Sequence, residues 1–216
     1  HDDHGDEGDD HDDHDHGDEG DDHDDHDDHD DHDDHDDHGD EDGIEYDPHS
    51  WLDPVAMKTQ VNVVLGYMID AFPEAEDDFK ANAEAFIAEL DALDSEYSAI
   101  FAGCEDKSAV ANHNAYSYIG YRYDIQFLTV HGLDPEGEPS PEDVAKVVEH
   151  INEEGITVLY VEEYTDQTSV QSLVDETGVS VEILYTMEMA PSDSSDDYLS
   201  MMNKNLANLA SGMGCA

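Results

Sequence analysis

The chain has 216 residues, of which 60 are Asp or Glu and only 6 are Lys or Arg, so its formal net charge is −54. This length allows one or two domains. The charge makes nucleic acids and anionic membrane surfaces poor partners, because both would be repelled. No apolar run approaches the length of a membrane-spanning helix. The chain begins without Met and within a repeat, so we interpret it as part of a longer protein with any signal peptide upstream.

The N-terminal segment is of low complexity. Residues 1 to 42 contain only 11 His, 5 Gly and 26 acidic residues, and from His23 to His38 a histidine recurs at every third position. Without apolar residues to bury, nothing offsets the entropy of ordering, so we expect this segment to be disordered. Imidazole and carboxylate groups both bind divalent metal ions, which favours a metal-collecting segment. An acidic solubilising tail and a pH-responsive segment are the alternatives, but a tail that is only acidic does not need 11 histidines.

The rest of the chain is also strongly acidic. Of the 60 acidic residues, 26 lie in the first segment, and the other 34 lie beyond residue 42. Molar salt screens charges within about 3 Å, which would relieve the repulsion between these groups. We therefore hypothesise that the protein works at high salt, with cation binding by some carboxylates as the alternative. A thermal stability that does not rise between low and molar KCl would exclude the first explanation.

The segment Asp47–Pro54 predicts a stiff loop before a helix. Pro48 fixes its own φ and restricts the residue before it to extended backbone. Asp53 is a good helix cap, and Pro54 fits the first helical turn. His49 therefore lies where an imidazole is held in a fixed orientation. These residues alone also allow a histidine that only caps or packs.

Two helices follow this loop. Apolar residues at helical spacing predict the first helix from Val55 to about Ala71, and Phe72-Pro73 ends it. The second helix is predicted from Pro73 to about Phe101. At 1.5 Å per residue it would be about 43 Å long, which is typical of a spine between two lobes. Its apolar stripe consists of Phe79, Phe86, Leu90, Leu93, Tyr97 and Ile100.

From residue 107 onward the pattern alternates between strands and helices. The predicted strands are 108–112, 125–130, 156–161 and 179–185. The predicted helices are 115–123, 140–155, 165–176 and 194–212. Four strand–helix units predict an α/β fold with a parallel sheet and helices on both faces.

Polar side chains follow each predicted strand, at the edge where such sheets bind ligands. In strand order they are His113; His131; Glu162 and Glu163; and Tyr185, Thr186 and Glu188. The histidines are the stronger signal, because only four of the 15 lie beyond residue 42. We interpret His150, late in a predicted helix, as structural. His131 lies in a turn-rich loop and is interpreted as structural or solvated.

Two of these segments resemble signatures of a known family. Asp47–Pro54 resembles the DPHxWLDP segment of periplasmic zinc-binding proteins, the substrate-binding components of zinc and manganese ABC importers. Residues 113–118, His-Asn-Ala-Tyr-Ser-Tyr, resemble their second signature, and residues 138–141 resemble their Glu-Pro-Ser-Pro helix start. A His- and Asp-rich loop before the first signature is also typical of the zinc members. The resemblance covers essentially the whole chain, in the same order and with similar spacing.

The resemblance implies two α/β lobes joined by one long helix, with the metal between the lobes. Residues 43–72 would be the C-terminal part of lobe one, residues 73–102 the spine helix and residues 103–216 lobe two. Residues 1–42 would be the disordered metal-collecting segment. The family also has a histidine ligand upstream of the His-rich loop, which this chain does not contain.

The resemblance implies that His49 is the metal ligand from lobe one and His113 the ligand from lobe two. Manganese members and some zinc members add a carboxylate after the fourth strand. The register places Thr186 at that position, so we expect Glu188 or water to replace it. Histidine rather than glutamate at position 113 favours zinc over manganese.

We therefore expect an extracytoplasmic, monomeric protein that captures Zn²⁺ as transported cargo and delivers it to a membrane ABC permease. The alternatives are a manganese or other divalent-metal protein of the same family, and a zinc buffer or adhesin. A zinc metallohydrolase would use Glu162 or Glu163 as its general base. The sequence has no HExxH pair, nucleophile elbow or Gly-rich phosphate loop, so we expect no enzyme.

The two cysteines bracket the predicted second lobe. Cys104 lies just before its first strand, and Cys215 lies just past its last helix. Because each helix runs antiparallel to its strands, both thiols lie at the sheet edge opposite the metal site. An oxidising compartment would permit a disulfide between them. Two free thiols are the alternative, since the sequence does not determine the strand order.

Overall fold

The computed structural model describes residues 46–132 and 140–215. The predicted disorder and metal collection by residues 1–42, and the first half of the Glu-Pro-Ser-Pro segment, lie outside these residues. The described part forms helices α1 (Pro54–Ala71), α2 (Glu76–Phe101), α3 (Ser117–Tyr123), α4 (Pro141–Glu154), α5 (Gln171–Thr177) and α6 (Tyr198–Gly212). Its strands are β1 (Ser108–Ala111), β2 (Gln126–Thr129), β3 (Val158–Val161) and β4 (Ser180–Ile183). Three short 3-10 helices span Ser50–Leu52, Pro73–Ala75 and Gln167–Val170.

The four strands form one parallel sheet in the order β2-β1-β3-β4, which confirms the predicted α/β class. Val110 in β1 is paired with Leu128 on one side and with Leu159 on the other. Both faces of the sheet are covered, so the central strand β3 is buried at all four positions. All four carboxyl ends therefore lie at one edge, as a parallel sheet requires.

Helix α1 begins as the sequence predicts. The Asp53 side chain accepts a hydrogen bond from Val55 N at 2.8 Å, and Pro54 occupies the first helical position. Helices α1 and α2 pack against each other, and a cavity of about 450 Å³ between them is lined mostly by apolar side chains. None of the side chains that line this cavity is a histidine or a carboxylate.

Helix α2 is shorter than predicted. A 3-10 turn at Pro73–Ala75 precedes it, because proline cannot continue the preceding helix, and the α-helix itself has 26 residues, or about 39 Å. Its buried side chains are Leu90, Leu93, Tyr97 and Phe101. Phe101, which was not part of the predicted stripe, is buried and packs on Tyr123 of α3 with ring centroids 6.0 Å apart, whereas Ile100 is half-buried against the same core.

Two further helix boundaries differ from the prediction. The region predicted as one helix from 165 to 176 is a 3-10 turn followed by α5, with Asp166 capping the turn through Thr168 N. Helix α6 begins at Tyr198 rather than 194, because Asp197 and Ser200 form a reciprocal capping box there. Within the described residues, no helix combines the length and the apolar composition needed to cross a membrane.

A disulfide joins Cys104 and Cys215, whose Cα atoms are 4.7 Å apart. This confirms the bridge that the sequence left open. Cys104 follows the end of α2, and Cys215 N donates to Ala210 O of α6 at 2.8 Å. The bridge ties the chain end to the start of the sheet, at the edge opposite the carboxyl ends of the strands.

Candidate metal site

His49 lies on the loop before α1, and both of its ring nitrogens face carboxylates. Nδ1 is 2.7 Å from Asp47 Oδ1, and Nε2 is 2.9 Å from Glu188 Oε1. The backbone N of His49 also donates to Asp47 Oδ1, at 2.9 Å. Burial acts to raise the pKa of Asp47, but these hydrogen bonds from His49 outweigh it and hold that pKa below its usual value. Asp47 therefore stays ionised and fixes the imidazole.

The His49 loop is anchored to the β4–α6 connection. Trp51 Nε1 donates to Thr186 O at 2.7 Å, and Tyr198 OH donates to Trp51 O at 2.7 Å. Tyr118 OH of α3 donates to Asp47 O at 3.2 Å. These three bonds connect the first signature to elements more than 70 residues away in sequence.

The cap of α1 is also a salt bridge. Arg122 Nε and one terminal nitrogen donate to the two Asp53 oxygens at 2.7 and 2.6 Å. Asp53 is buried, and this bidentate pairing compensates its charge while it caps the helix. The hydrogen bonds and charge of Asp53 raise the pKa of the Arg122 guanidinium, which stays protonated.

His113 lies two residues beyond β1. The sheet continues up to this point, because Asn112 N donates to Tyr160 O and Asn112 O accepts from His131 N, both at 2.8 Å. The His113 side chain is fully buried, and its Nδ1 lies 2.6 Å from Glu162 Oε1 after β3. The Glu162 carboxylate therefore lies directly against the outer nitrogen of the His113 ring.

Tyr116 is buried beside Glu162 and Glu188. Burial, and then the nearby charges of Glu162 and Glu188, raise its pKa well above the usual value. Its phenol therefore remains a neutral donor, and it binds Leu184 O at 2.9 Å. This bond fixes the end of β4, from which the chain continues toward Glu188.

The three predicted ligands converge. His49, His113 and Glu188 each offer one ligand atom, and these atoms all lie within 4.8 Å of one another. The two rings meet edge to face with centroids 5.0 Å apart. Ligand atoms that share a zinc ion lie no more than about 4 Å apart, so only a small contraction is needed. We call these three residues the ligand cluster.

One side of the ligand cluster is open. The side chains of His49 and His113 are 1% and 0% exposed, whereas that of Glu188 is 33% exposed. A cavity of about 550 Å³ borders Glu188 and is also lined by Trp51, Met187 and Tyr198. The carboxylate is thus the part of the cluster that solvent reaches.

The other residues singled out in the sequence lie outside the cluster. His131 and His150 are not among its members. Thr186 is buried, and its backbone O accepts from Trp51 Nε1; Glu188, two positions further on, is the carboxylate of the cluster. Glu163 accepts hydrogen bonds from the backbone N and hydroxyl of Ser192.

Sequence reasoning did not identify the residues that support the cluster. Asp47 was visible only as a carboxylate two positions before His49, a spacing that suits a bond to the ring. Glu162 was placed at the ligand-binding edge of the sheet and considered as a general base, but not as a partner of His113. The pairing of Arg122 with Asp53 had no signal except that Arg122 is the only arginine in the chain.

His113 and Glu188 follow β1 and β4 at the carboxyl edge of the parallel sheet, and His49 meets them from the loop before α1. This arrangement defines an α/β protein with a candidate metal site. The chain belongs to the family described as zinc-uptake complex component A, periplasmic, whose model matches residues 3–212.

Named relatives agree with this assignment. The zinc-binding protein AdcA of Streptococcus pyogenes is 32% identical over 167 residues, which are 76% of this chain and 32% of that protein. The high-affinity zinc uptake system protein ZnuA of Bacillus subtilis is 29% identical over 163 residues, which are 74% of this chain and 51% of that protein. The chain therefore spans about a third to a half of the length of these relatives.

A solved structure has the same fold. The laminin-binding protein Lmb of Streptococcus agalactiae, described as a bifunctional protein with adhesin and metal transporting activity, matches with a TM-score of 0.74 and 28% identity. The match covers 78% of this chain and 65% of that one.

Proposed function

We propose that this protein captures Zn²⁺ outside the cytoplasm and delivers it to a membrane ABC permease. The observation that carries the proposal is the convergence of His49, His113 and Glu188 within 4.8 Å. Membership of the zinc-uptake family and the names of the zinc-binding relatives support it. The Cys104–Cys215 disulfide also fits an oxidising, extracytoplasmic location.

The ligand cluster would hold the ion as cargo. Asp47 is hydrogen-bonded to Nδ1 of His49, which leaves Nε2 for the metal, and Glu162 lies 2.6 Å from Nδ1 of His113. Carboxylates at the outer nitrogens of metal-binding histidines orient the rings and make them better ligands. Two imidazoles and one carboxylate suit zinc better than manganese, which prefers oxygen ligands.

The arrangement of segments is part of the proposal. Residues 43–72 would complete a first lobe, residues 73–102 would be the spine helix, and residues 103–216 would be the second lobe. Residues 1–42 would collect zinc weakly at many sites and raise its concentration near the tight site. The protein would act as a monomer anchored to a membrane and, given its acidity, at high salt.

We also propose that the protein is not an enzyme. The two carboxylates that could serve as a general base are both engaged. Glu162 lies against His113, and Glu163 binds Ser192. An importer component needs only to bind and release its ion, and the three residues of the ligand cluster are sufficient for that role.

The test is a titration of the intact protein with zinc and with manganese, in competition with a chromogenic chelator that masks weak sites. We expect one tight zinc site and a manganese site weaker by at least about 100-fold, because of the two imidazoles. Deletion of residues 1–42 should reduce the number of weak sites and preserve the tight one. Loss of the tight site with that segment would contradict the collecting role, and equal affinity for the two metals would contradict the assignment of zinc.

Adhesion is a second candidate function. It is favoured by the match to Lmb, which is described as having both adhesin and metal transporting activity. Binding of the intact protein to immobilised laminin, with and without zinc, tests it. Laminin binding no stronger than that of an unrelated protein of similar charge would exclude it.

A further inference from the structure

The residue before Glu188 has an unusual backbone conformation. Met187 has φ of +59°, in the left-handed region, and Asp124 is the only other described non-glycine residue with positive φ. Asp124 ends α3, where left-handed residues are common, but Met187 lies in no helix terminus. Long side chains such as methionine are uncommon in this region, and the surrounding structure must impose it.

The chain is fixed on the N-terminal side of Met187. Asn205 of α6 is buried and binds both the backbone N and the backbone O of Tyr185, at 2.7 and 2.9 Å. Thr186 O accepts from Trp51 Nε1 at 2.7 Å. Three backbone groups of the two residues before Met187 are therefore held by side chains of other elements.

The chain is also fixed on the C-terminal side. Tyr164 OH donates to Ala190 O at 2.6 Å, and Ser192 N donates to Glu163 at 3.1 Å. Only Met187, Glu188 and Met189 lie between the two sets of anchors. Because this span is so short, its backbone dihedrals determine the direction of the Glu188 side chain.

An extended backbone at residue 187 would direct the Glu188 side chain elsewhere. Leu184 and Thr186 are buried and alternate with more exposed neighbours, as along a strand. The left-handed residue ends this alternation and turns the chain, and Glu188 then lies with its carboxylate 2.9 Å from His49 Nε2.

We propose that Met187 is a positioning residue for metal binding, whose left-handed backbone directs Glu188 into the ligand cluster. This inference rests on the proposed function, because it concerns the same site. The role belongs to the backbone of Met187 and not to its thioether. A substitution that keeps the left-handed conformation should therefore keep the affinity.

Two isomeric substitutions separate a role of the Met187 backbone from a role of its side chain. Met187→Ile and Met187→Leu introduce side chains of equal composition, but only isoleucine is β-branched and strongly disfavours the left-handed region. We expect Met187→Leu to bind zinc within about twofold of the wild type, and Met187→Ile to bind about tenfold more weakly. If Met187→Ile does not fold, Met187→Gly and Met187→Ala make the same comparison, with glycine as the permissive residue.

A double-mutant cycle tests whether Met187 acts through Glu188. Zinc affinity is measured by chelator competition for Met187→Ile, Glu188→Ala and the double variant, and thermal unfolding is measured without zinc. The proposal predicts that Met187→Ile has no further effect on affinity once Glu188 is removed. Three results would overturn it. Met187→Ile could lower the unfolding temperature without lowering zinc affinity, its effect on affinity could persist in the Glu188→Ala background, or Met187→Leu could bind zinc as weakly as Met187→Ile. A wild type without a tight zinc site would instead refute the proposed function.

Discussion

The two halves of the ligand cluster are built in opposite ways. His49 and His113 are almost completely buried, and a carboxylate lies against the outer nitrogen of each ring. Glu188 is one-third exposed and sits on a short span between anchored segments. The imidazole half is therefore preorganised, whereas the carboxylate half depends on one backbone turn. We expect most of the affinity to come from the imidazoles, and the predictions below test this in order of their effect on zinc binding.

Removing an imidazole should have the largest effect. We expect His113→Ala to weaken the tight zinc site by more than about 100-fold, because a ligand matters more than the groups that support it. Isothermal titration with a competing chelator measures this. His150→Ala, on α4, is the matched control and should bind as the wild type does. An unchanged affinity in His113→Ala would remove this residue from the ligand set.

Removing the carboxylate behind His113 should have the next largest effect. Glu162→Gln keeps the shape of the side chain but loses its charge, and we expect zinc affinity to fall by about 10–100-fold. Glu142→Gln changes an exposed carboxylate on α4 and should leave the affinity unchanged. If the two variants bind zinc equally well, the buried imidazole does not need this support and the contrast between the halves is weaker than we infer.

Loosening the His49 loop should have a smaller effect. Arg122→Lys replaces the bidentate pairing with Asp53 by a point charge. We expect the free energy of unfolding to fall by roughly 1–2 kcal/mol, through the loss of one charge-assisted hydrogen bond, and zinc affinity to fall about threefold. Lys80→Ala removes an exposed pair on α2 and serves as the control. Affinity equal to the wild type would show that His49 does not depend on this anchor.

Removing the disulfide should not affect zinc binding, because it lies at the opposite edge of the sheet. The bridge closes a loop with a sequence separation of 111 residues. We expect the double variant Cys104→Ser/Cys215→Ser to lose at most ~4–5 kcal/mol of unfolding free energy, by the chain-entropy argument. Denaturant unfolding and zinc titration of the variant measure the two properties separately. A clear loss of affinity would mean that the two edges are coupled.

Much of the fold follows from local sequence. Apolar runs and strand–helix alternation predict four parallel strands, and the parallel arrangement brings the residues after each strand to one edge. The position of His113 follows from this rule. Pro48 and the cap at Asp53 predict the stiff loop that carries His49, whereas its role as a ligand is implied by the family resemblance. These features are predictable because they depend on hydrophobic periodicity and on residues within a few positions of one another.

Other features depend on contacts between distant segments. The sequence alone did not show that Glu188 approaches His49 and His113, because its position depends on the turn at Met187. The approach of Glu162 to His113 requires β3 to lie beside β1, and the disulfide depends on the same strand order. Local sequence therefore determined which side chains reach the edge of the sheet. Only the tertiary structure decided which of them meet, because strand order and the packing of loops bring together residues that are far apart in the chain.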